Sequence, residues 1–367
     1  MKPMGPLQVL AARFPVTQPW EDFATRYVPR PQPVGDDIAD SLLVDPSSTH
    51  VIVGSIGSGK STELFRAATR LRDDGSDLFV VCEDADLLGD GLLHPEPGIV
   101  VRRVAQAFAA MSAAVPLALA GQQAAVRVQQ RAQREVEAVF DVLAPTETTD
   151  LDDLRLIVAA LAPRRAVVLL DSFDRVLPAS DYIAAIERDL PALRRVGVGL
   201  VLTAPNDLLF LHWREALSHF SARHVLGALA PAVPEHHSFL HSVIARRDPD
   251  GLIVPAAREA LVGASGGHLR HLVELAHAAA RLAQRSGAVI VSAADVGRAQ
   301  DDLGSFLASA MTGEQVTILD AITRGQMPAR ATDALVGLVR DARVFDDGDG
   351  RYRLHPALQA RPARRVA

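Results

Sequence analysis

Residues 51–62 read Val-Ile-Val-Gly-Ser-Ile-Gly-Ser-Gly-Lys-Ser-Thr, a β-branched run opening directly into Gly54-x-x-x-x-Gly59-Lys60-Ser61. A chain that curls around a polyphosphate with its N–H groups pointing inward must pass through conformations that only glycine adopts without steric cost. Gly54, Ser55, Ile56, Gly57, Ser58 and Gly59 supply such a loop, and Lys60, Ser61 and Thr62 open a helix behind it. In a P-loop of this kind Lys60 reaches the β- and γ-phosphates as a point charge, and the Ser61 hydroxyl takes a Mg²⁺ position. A helix starting at Lys60 adds its positive end beneath the phosphates. The strand-like run before the motif and the helical pattern after it are the context it requires. A functional nucleotide site is therefore predicted over a merely glycine-rich turn.

The length of 367 residues suggests two or three domains, and an apolar content of 49% is ample for real cores. The formal net charge of −6 argues against coating nucleic acid by bulk electrostatics, while leaving room for a local basic face. A single cysteine, Cys82, excludes an intramolecular disulfide and fits a reducing cytosol, so a cytoplasmic location is expected. Cys82 itself reads as a small buried hydrophobe in a strand. No secretory signal is evident in Met1–Arg13. Val104–Val126 carries no charge and is long enough to cross a bilayer. It is alanine-rich, holds Gln106, Gln122 and Gln123, and is broken by Pro116 and Gly121, so packed helices and no membrane are predicted.

Four segments follow from the patterning. Residues 1–35 are proline-rich and irregular, and are expected to lie against the nucleotide domain. Residues 36–230 alternate helices with apolar strands at 51–53, 78–82, 166–170, 199–202 and 225–226, the pattern of a doubly wound parallel α/β sheet. Ala125, Val128, Ala132, Val136, Val139 and Leu143 form one apolar helical stripe, with Arg127, Arg131 and Arg134 on the polar side. Residues 231–304 read as an all-helical lid, with Ser292 capping its last helix. Residues 305–367 read as helices followed by a strand–turn–strand hairpin over 343–354, a winged-helix-like order.

A P-loop needs an acid at the end of a neighbouring strand, and Ala166-Val-Val-Leu-Leu-Asp171 supplies it. Asp171 is expected to hold Mg²⁺ directly or through water. Asp174 is placed by spacing to polarise the attacking water, the alternative being a helix cap or an ion pair with Arg175. Thr203 and Asn206 follow the 199–202 strand on its ligand side, as γ-phosphate contacts or as parts of a turn. Arg270 opens a lid helix with its guanidinium available to a phosphate; Arg214 and Arg223 are the alternatives for an arginine completing a neighbour's site. His237 and His241 lie four apart, and His268, His271 and Glu274 three apart, both compatible with metal ligation. No third ligand set at matched spacing accompanies them, so polar helix faces are the preferred reading.

With these residues in place, the chain resembles the AAA+/STAND group of P-loop ATPases. Gly59-Lys60-Ser61-Thr62-Glu63-Leu64 is similar to the P-loop of bacterial STAND ATPases, and Leu-Leu-Asp171-Ser-Phe-Asp174-Arg175 to the NACHT and KAP Walker B. The usual AAA+ form has a glutamate directly after the aspartate; Ser172 stands there, which predicts low turnover. Ala264-Ser-Gly-Gly-His-Leu-Arg270 and Val291-Ser-Ala-Ala-Asp-Val296 resemble the lid of origin-recognition-type ATPases, where the matching arginine senses nucleotide. Tyr352-Arg-Leu-His355-Pro356 resembles part of the winged helix that follows such lids. The resemblance implies ATP and Mg²⁺ as cofactors, and a slowly hydrolysing molecular switch that acts on a protein partner or effector. A homo-oligomer on ATP binding is compatible with it. The alternative is a DNA-associated loader or remodeller acting through its winged helix. Nine arginines in 305–367 favour DNA; Asp346, Asp347 and Asp349 in the wing, which phosphates would repel, disfavour it.

Overall fold

The computed structural model describes residues 5–15, 23–75, 77–84, 98–111, 116–137, 149–173, 179–210, 218–328, 330–348 and 351–359. Helices α1 (Pro6–Ala12), α2 (Phe23–Arg26) and α3 (Val34–Val44) precede β1 (Thr49–Gly54), α4 (Lys60–Asp74) and β2 (Leu78–Asp84). Next come α5 (Ile99–Met111), α6 (Leu119–Glu137), α7 (Asp150–Ala160), β3 (Arg165–Asp171), α8 (Ala179–Val196), β4 (Gly199–Ala204) and β5 (Ala222–Leu226). The remainder is α9 (Pro234–Arg247), α10 (Pro255–Ser265), α11 (Leu269–Arg285), α12 (Ala293–Ala308), α13 (Gly313–Thr323) and α14 (Asp333–Arg340). A hairpin of β6 (Val344–Gly348) and β7 (Arg351–Leu354), then α15 (Pro356–Gln359), complete it.

The chain divides into two compact units. The sheet unit holds Pro33–Val53 and Glu63–Val225; the helical unit holds Met1–Gln32, Gly54–Thr62 and Leu226–Ala367. The phosphate-loop segment thus belongs to the helical unit.

In the sheet unit the strand order is β2-β3-β4-β1-β5. β1 runs parallel to β4, β4 to β3 and β3 to β2. Alternate residues point to opposite faces. Val51, Val53, Val168, Leu170, Leu200 and Leu202 enter one core with α5, α7 and α8, while Ile52, Val167, Leu169 and Val201 are as fully buried on the other face. Burial on both faces is why these strands read as continuous apolar runs. β2 extends beyond the expected end at Cys82, because Glu83 and Asp84 pair in register with Leu170 and Asp171. Cys82 is partly buried, and burial pushes its thiol up to about 12. The polar side of α6 is not simply solvated: Arg127 and Arg131 reach the fully buried Asp153 of α7 at 2.5 and 2.6 Å. Val139 and Leu143, expected to prolong the α6 stripe, lie outside the described residues. None of the described helices is long and apolar enough to cross a membrane.

In the helical unit, Leu7, Leu10, Ala11 and Phe14 of the N-terminal segment enter a core with Leu240, Ile244, Leu261, Leu272 and Leu275 of α9–α11. His277 Nδ1 of α11 meets the Ala11 carbonyl at 3.0 Å. Ser292 caps α12 in a reciprocal box with Asp295, as its sequence predicts. At the C-terminal end, Thr312 and Thr332 cap α13 and α14, and β6 pairs antiparallel with β7. This module meets the end of α10 through Arg353, whose Nη1 donates to the Gly266 carbonyl at 3.0 Å.

Candidate nucleotide-binding site

The loop from Gly54 to Gly59 turns through Gly57 at φ 87° and Gly59 at φ 101°, backbone that a side chain would strain. A Cβ on Gly57 would also lie 2.4 Å from the Cβ of Arg270. Lys60, almost fully buried at the start of α4, donates through Nζ to the carbonyls of Gly54 at 2.7 Å and Ser55 at 3.0 Å. The Ser58 hydroxyl is buried with no hydrogen-bond partner among the described residues. A buried ammonium held by carbonyls of the loop itself, beside an unsatisfied hydroxyl, suits an incoming polyanion, which would offer both groups stronger charge-assisted bonds. The donor set therefore fits a nucleoside triphosphate.

Three further residues clasp this loop. Arg30 donates to the Ser58 carbonyl at 2.7 Å and the Gly227 carbonyl at 3.0 Å. His268 caps α11, accepting the His271 N–H on Nδ1, so its Nε2 carries the proton and donates to the Ile56 carbonyl at 2.9 Å. The backbone N–H of Arg270 donates to the Gly57 carbonyl at 3.2 Å. Arg270, expected at a phosphate, is thus found at the phosphate loop. Sequence reasoning missed Arg30, whose only signal is its place between Pro29 and Pro31. It also misplaced His268 and His271 on a polar helix face; they are 1% and 6% exposed.

His268 begins a histidine chain. Its ring lies 4.2 Å from that of His271, and His271 Nδ1 meets His355 Nε2 at 3.0 Å. His355 accepts the Ala357 N–H on Nδ1, so it donates from Nε2 to His271. Burial holds all three imidazoles neutral: His271 is lowered to about 4, His355 to about 3, and His268 well below its ordinary value. Phe345 packs on the rings of both His268 and His355.

The remaining candidates lie in the sheet unit. Asp171 is 2% exposed at the C-terminal end of β3, and Thr203 is fully buried near the same end of β4. Asn206 opens the 3₁₀ turn that follows, also buried. Ile52 of β1 pairs with Thr203, so Asp171, Thr203 and the last residues of β1 share the carboxyl edge where such sheets take ligands. Asp174, Arg175 and Arg214 lie outside the described residues. Arg223 lies exposed on β5.

Ser172, directly after Asp171, adopts φ 68° and buries its hydroxyl with no hydrogen-bond partner among the described residues. A left-handed non-glycine residue costs on the order of 1 kcal/mol. Ser172→Gly is expected to stabilise the protein by about 1 kcal/mol, read as a higher urea midpoint at unchanged slope.

No protein-family model matches this sequence, and no curated protein matches it by sequence. Solved structures do match in fold. The Walker-type ATPase PABY2304 of Pyrococcus abyssi aligns over 91% of this chain and 95% of its own, at TM-score 0.52 and 14% identity. The Drosophila ORC bound to DNA aligns over 87% of this chain and 72% of its own, at TM-score 0.50 and 14% identity. The fold shared with them is the α/β P-loop NTPase fold.

Proposed function

We propose that this chain is an ATP-responsive switch that hydrolyses slowly and controls a protein partner or an assembly. The observation that carries the reading is the double contact of one short stretch of the helical unit. His268 and Arg270 hold the carbonyls of Ile56 and Gly57, and His271, one turn on, meets His355 of the C-terminal module. Nucleotide entering the loop must keep, reshape or break the first contacts. It therefore has unequal affinity for different lid positions, and only such a difference moves a two-state equilibrium.

In this reading loop 54–62 holds the phosphates of ATP, and Ser61 with Asp171 are the Mg²⁺ ligands that the sequence pattern assigns. Thr203 or Asn206 senses the γ-phosphate, Asp174 polarises water, and Arg270 reports from the lid. The C-terminal module acts as a winged helix, with the cytoplasm as its setting. The AAA+/STAND resemblance supports ATP as the nucleotide, and Ser172 supports slow turnover. ATP·Mg²⁺ is expected to change the elution volume of the purified chain in size-exclusion chromatography. It should also yield phosphate above background, lost in Asp171→Ala. Absence of both the shift and the turnover in the wild type would sink the proposal.

A DNA-associated ATPase is the second reading, supported by Arg324, Arg330, Arg340, Arg343, Arg351 and Arg353 in the C-terminal module. Against it, Arg353 is engaged by Asp347 at 3.1 Å, and Arg343 lies 3.6 Å from Asp341. A phosphate backbone would have to displace those carboxylates. A salt-dependent duplex shift in the same preparation, lost on removing residues 305–367, decides for DNA.

A further inference from the structure

His237 and His241 sit four apart on α9, hence on one helix face, and the partner that spacing alone does not reveal comes from the next helix. Glu259 of α10 places Oε2 3.0 Å from His237 Nε2 and Oε1 3.0 Å from His241 Nε2. The three ligand atoms lie within 4.8 Å of one another, the only such trio among the described residues. We propose that His237, His241 and Glu259 form a binding site for a first-row divalent cation of the zinc class, which clasps α9 to α10.

Three observations carry this. First, the contacts are unequal. His237 makes a hydrogen bond to the carboxylate, whereas the buried His241 Nε2 lies at the same distance from the other oxygen without meeting hydrogen-bond geometry. A cation between the three groups would satisfy a buried ring nitrogen that the carboxylate meets off hydrogen-bond geometry. Second, one carboxylate is shared: Glu259 presents Oε2 to His237 and Oε1 to His241, so the three side chains converge on one notch.

Third, the frame is preorganised. Between the two helices the buried Asp248 accepts the N–H groups of Leu252 at 2.8 Å and Ile253 at 2.9 Å, and pairs with Arg258 at 3.0 Å. That knot fixes the turn from which both ligand-bearing helices project, one residue before Glu259. Two imidazoles and a carboxylate are a recognised zinc donor set that leaves a fourth position for water. The partial exposure of Glu259 leaves an entry path. Imidazole and carboxylate together favour zinc-class ions over Mg²⁺, which prefers oxygen ligands. The proposal is independent of the nucleotide reading and stands or falls without it.

The test uses untagged full-length protein freed of metal with chelator, titrated with Co²⁺ and Zn²⁺ while following the visible Co²⁺ spectrum and calorimetric heat. One equivalent is expected to bind with a low-coordinate Co²⁺ spectrum, displaced by Zn²⁺ and insensitive to excess Mg²⁺. His241→Ala and Glu259→Gln should each weaken binding by about tenfold or more. Both substitutions are partly exposed, and His355→Asn, in the buried histidine chain, should leave the affinity unchanged. No stoichiometric binding, or binding unaffected by His241→Ala and Glu259→Gln, overturns the proposal. Loss with His355→Asn alone also overturns it, by relocating the metal to the other cluster.

Discussion

Lys60→Ala is expected to weaken ATP·Mg²⁺ binding by at least about 100-fold in calorimetry. Charge-assisted hydrogen bonds contribute about 1.5–3 kcal/mol each, and two of them amount to that factor. The ammonium is positioned for two: it is almost fully buried at the head of α4 and already bridges the Gly54 and Ser55 carbonyls. Binding would move those donors onto phosphate oxygens without carrying the charge far from where it sits. The same two bonds hold the loop closed on itself, so the alanine variant also loses a tie within the loop. A thermal midpoint measured alongside separates the effects: a fold intact by midpoint and circular dichroism, with affinity gone, assigns the loss to the charge. Unchanged affinity in a folded variant would remove the basis of the switch proposal.

What the sequence revealed followed how local each signal is. β1, β3 and β4 were legible because strands buried on both faces print an uninterrupted apolar run, and the phosphate loop because Gly57 and Gly59 answer a purely local backbone demand. Asp171 was legible as a charge closing such a run. The packing of α1 was not, because its partners lie in α9–α11 more than two hundred residues on, and a stripe of Leu7, Leu10 and Phe14 names no partner. Arg30 answers to no motif; its role exists only because the chain brings it to the Ser58 carbonyl. The histidines show the limit most clearly. Helical spacing grouped His237 with His241 and His268 with His271, but spacing along one helix cannot show that Glu259 faces the first pair, or that His355 buries the second.

That burial gives the second large effect, an acid sensitivity located in the helical unit. His271 and His355 ordinarily titrate near 6.5, and in the folded protein near 4 and 3, with burial as the leading cause and neighbouring charge adding to it. Each is a base with a depressed folded pKa, so its contribution is fully present above 6.5 and is lost as pH falls, while the unfolded chain takes up protons that the folded one refuses. From pH 8 to pH 5 each buried imidazole should remove about 2 kcal/mol of stability, levelling off only near the folded values. His50 in the sheet unit, also lowered to about 4, adds to the slope of the whole protein. The assignment therefore rests on a difference between variants. His355→Asn keeps an acceptor for the Ala357 N–H where Nδ1 now lies, but has no titrating group. Urea midpoints from pH 8 to pH 5 should fall less steeply in that variant, by about 2 kcal/mol over the range. A merely structural loss lowers stability equally at every pH; parallel curves for variant and wild type would mean that the chain from His268 to His355 takes up its protons as freely folded as unfolded.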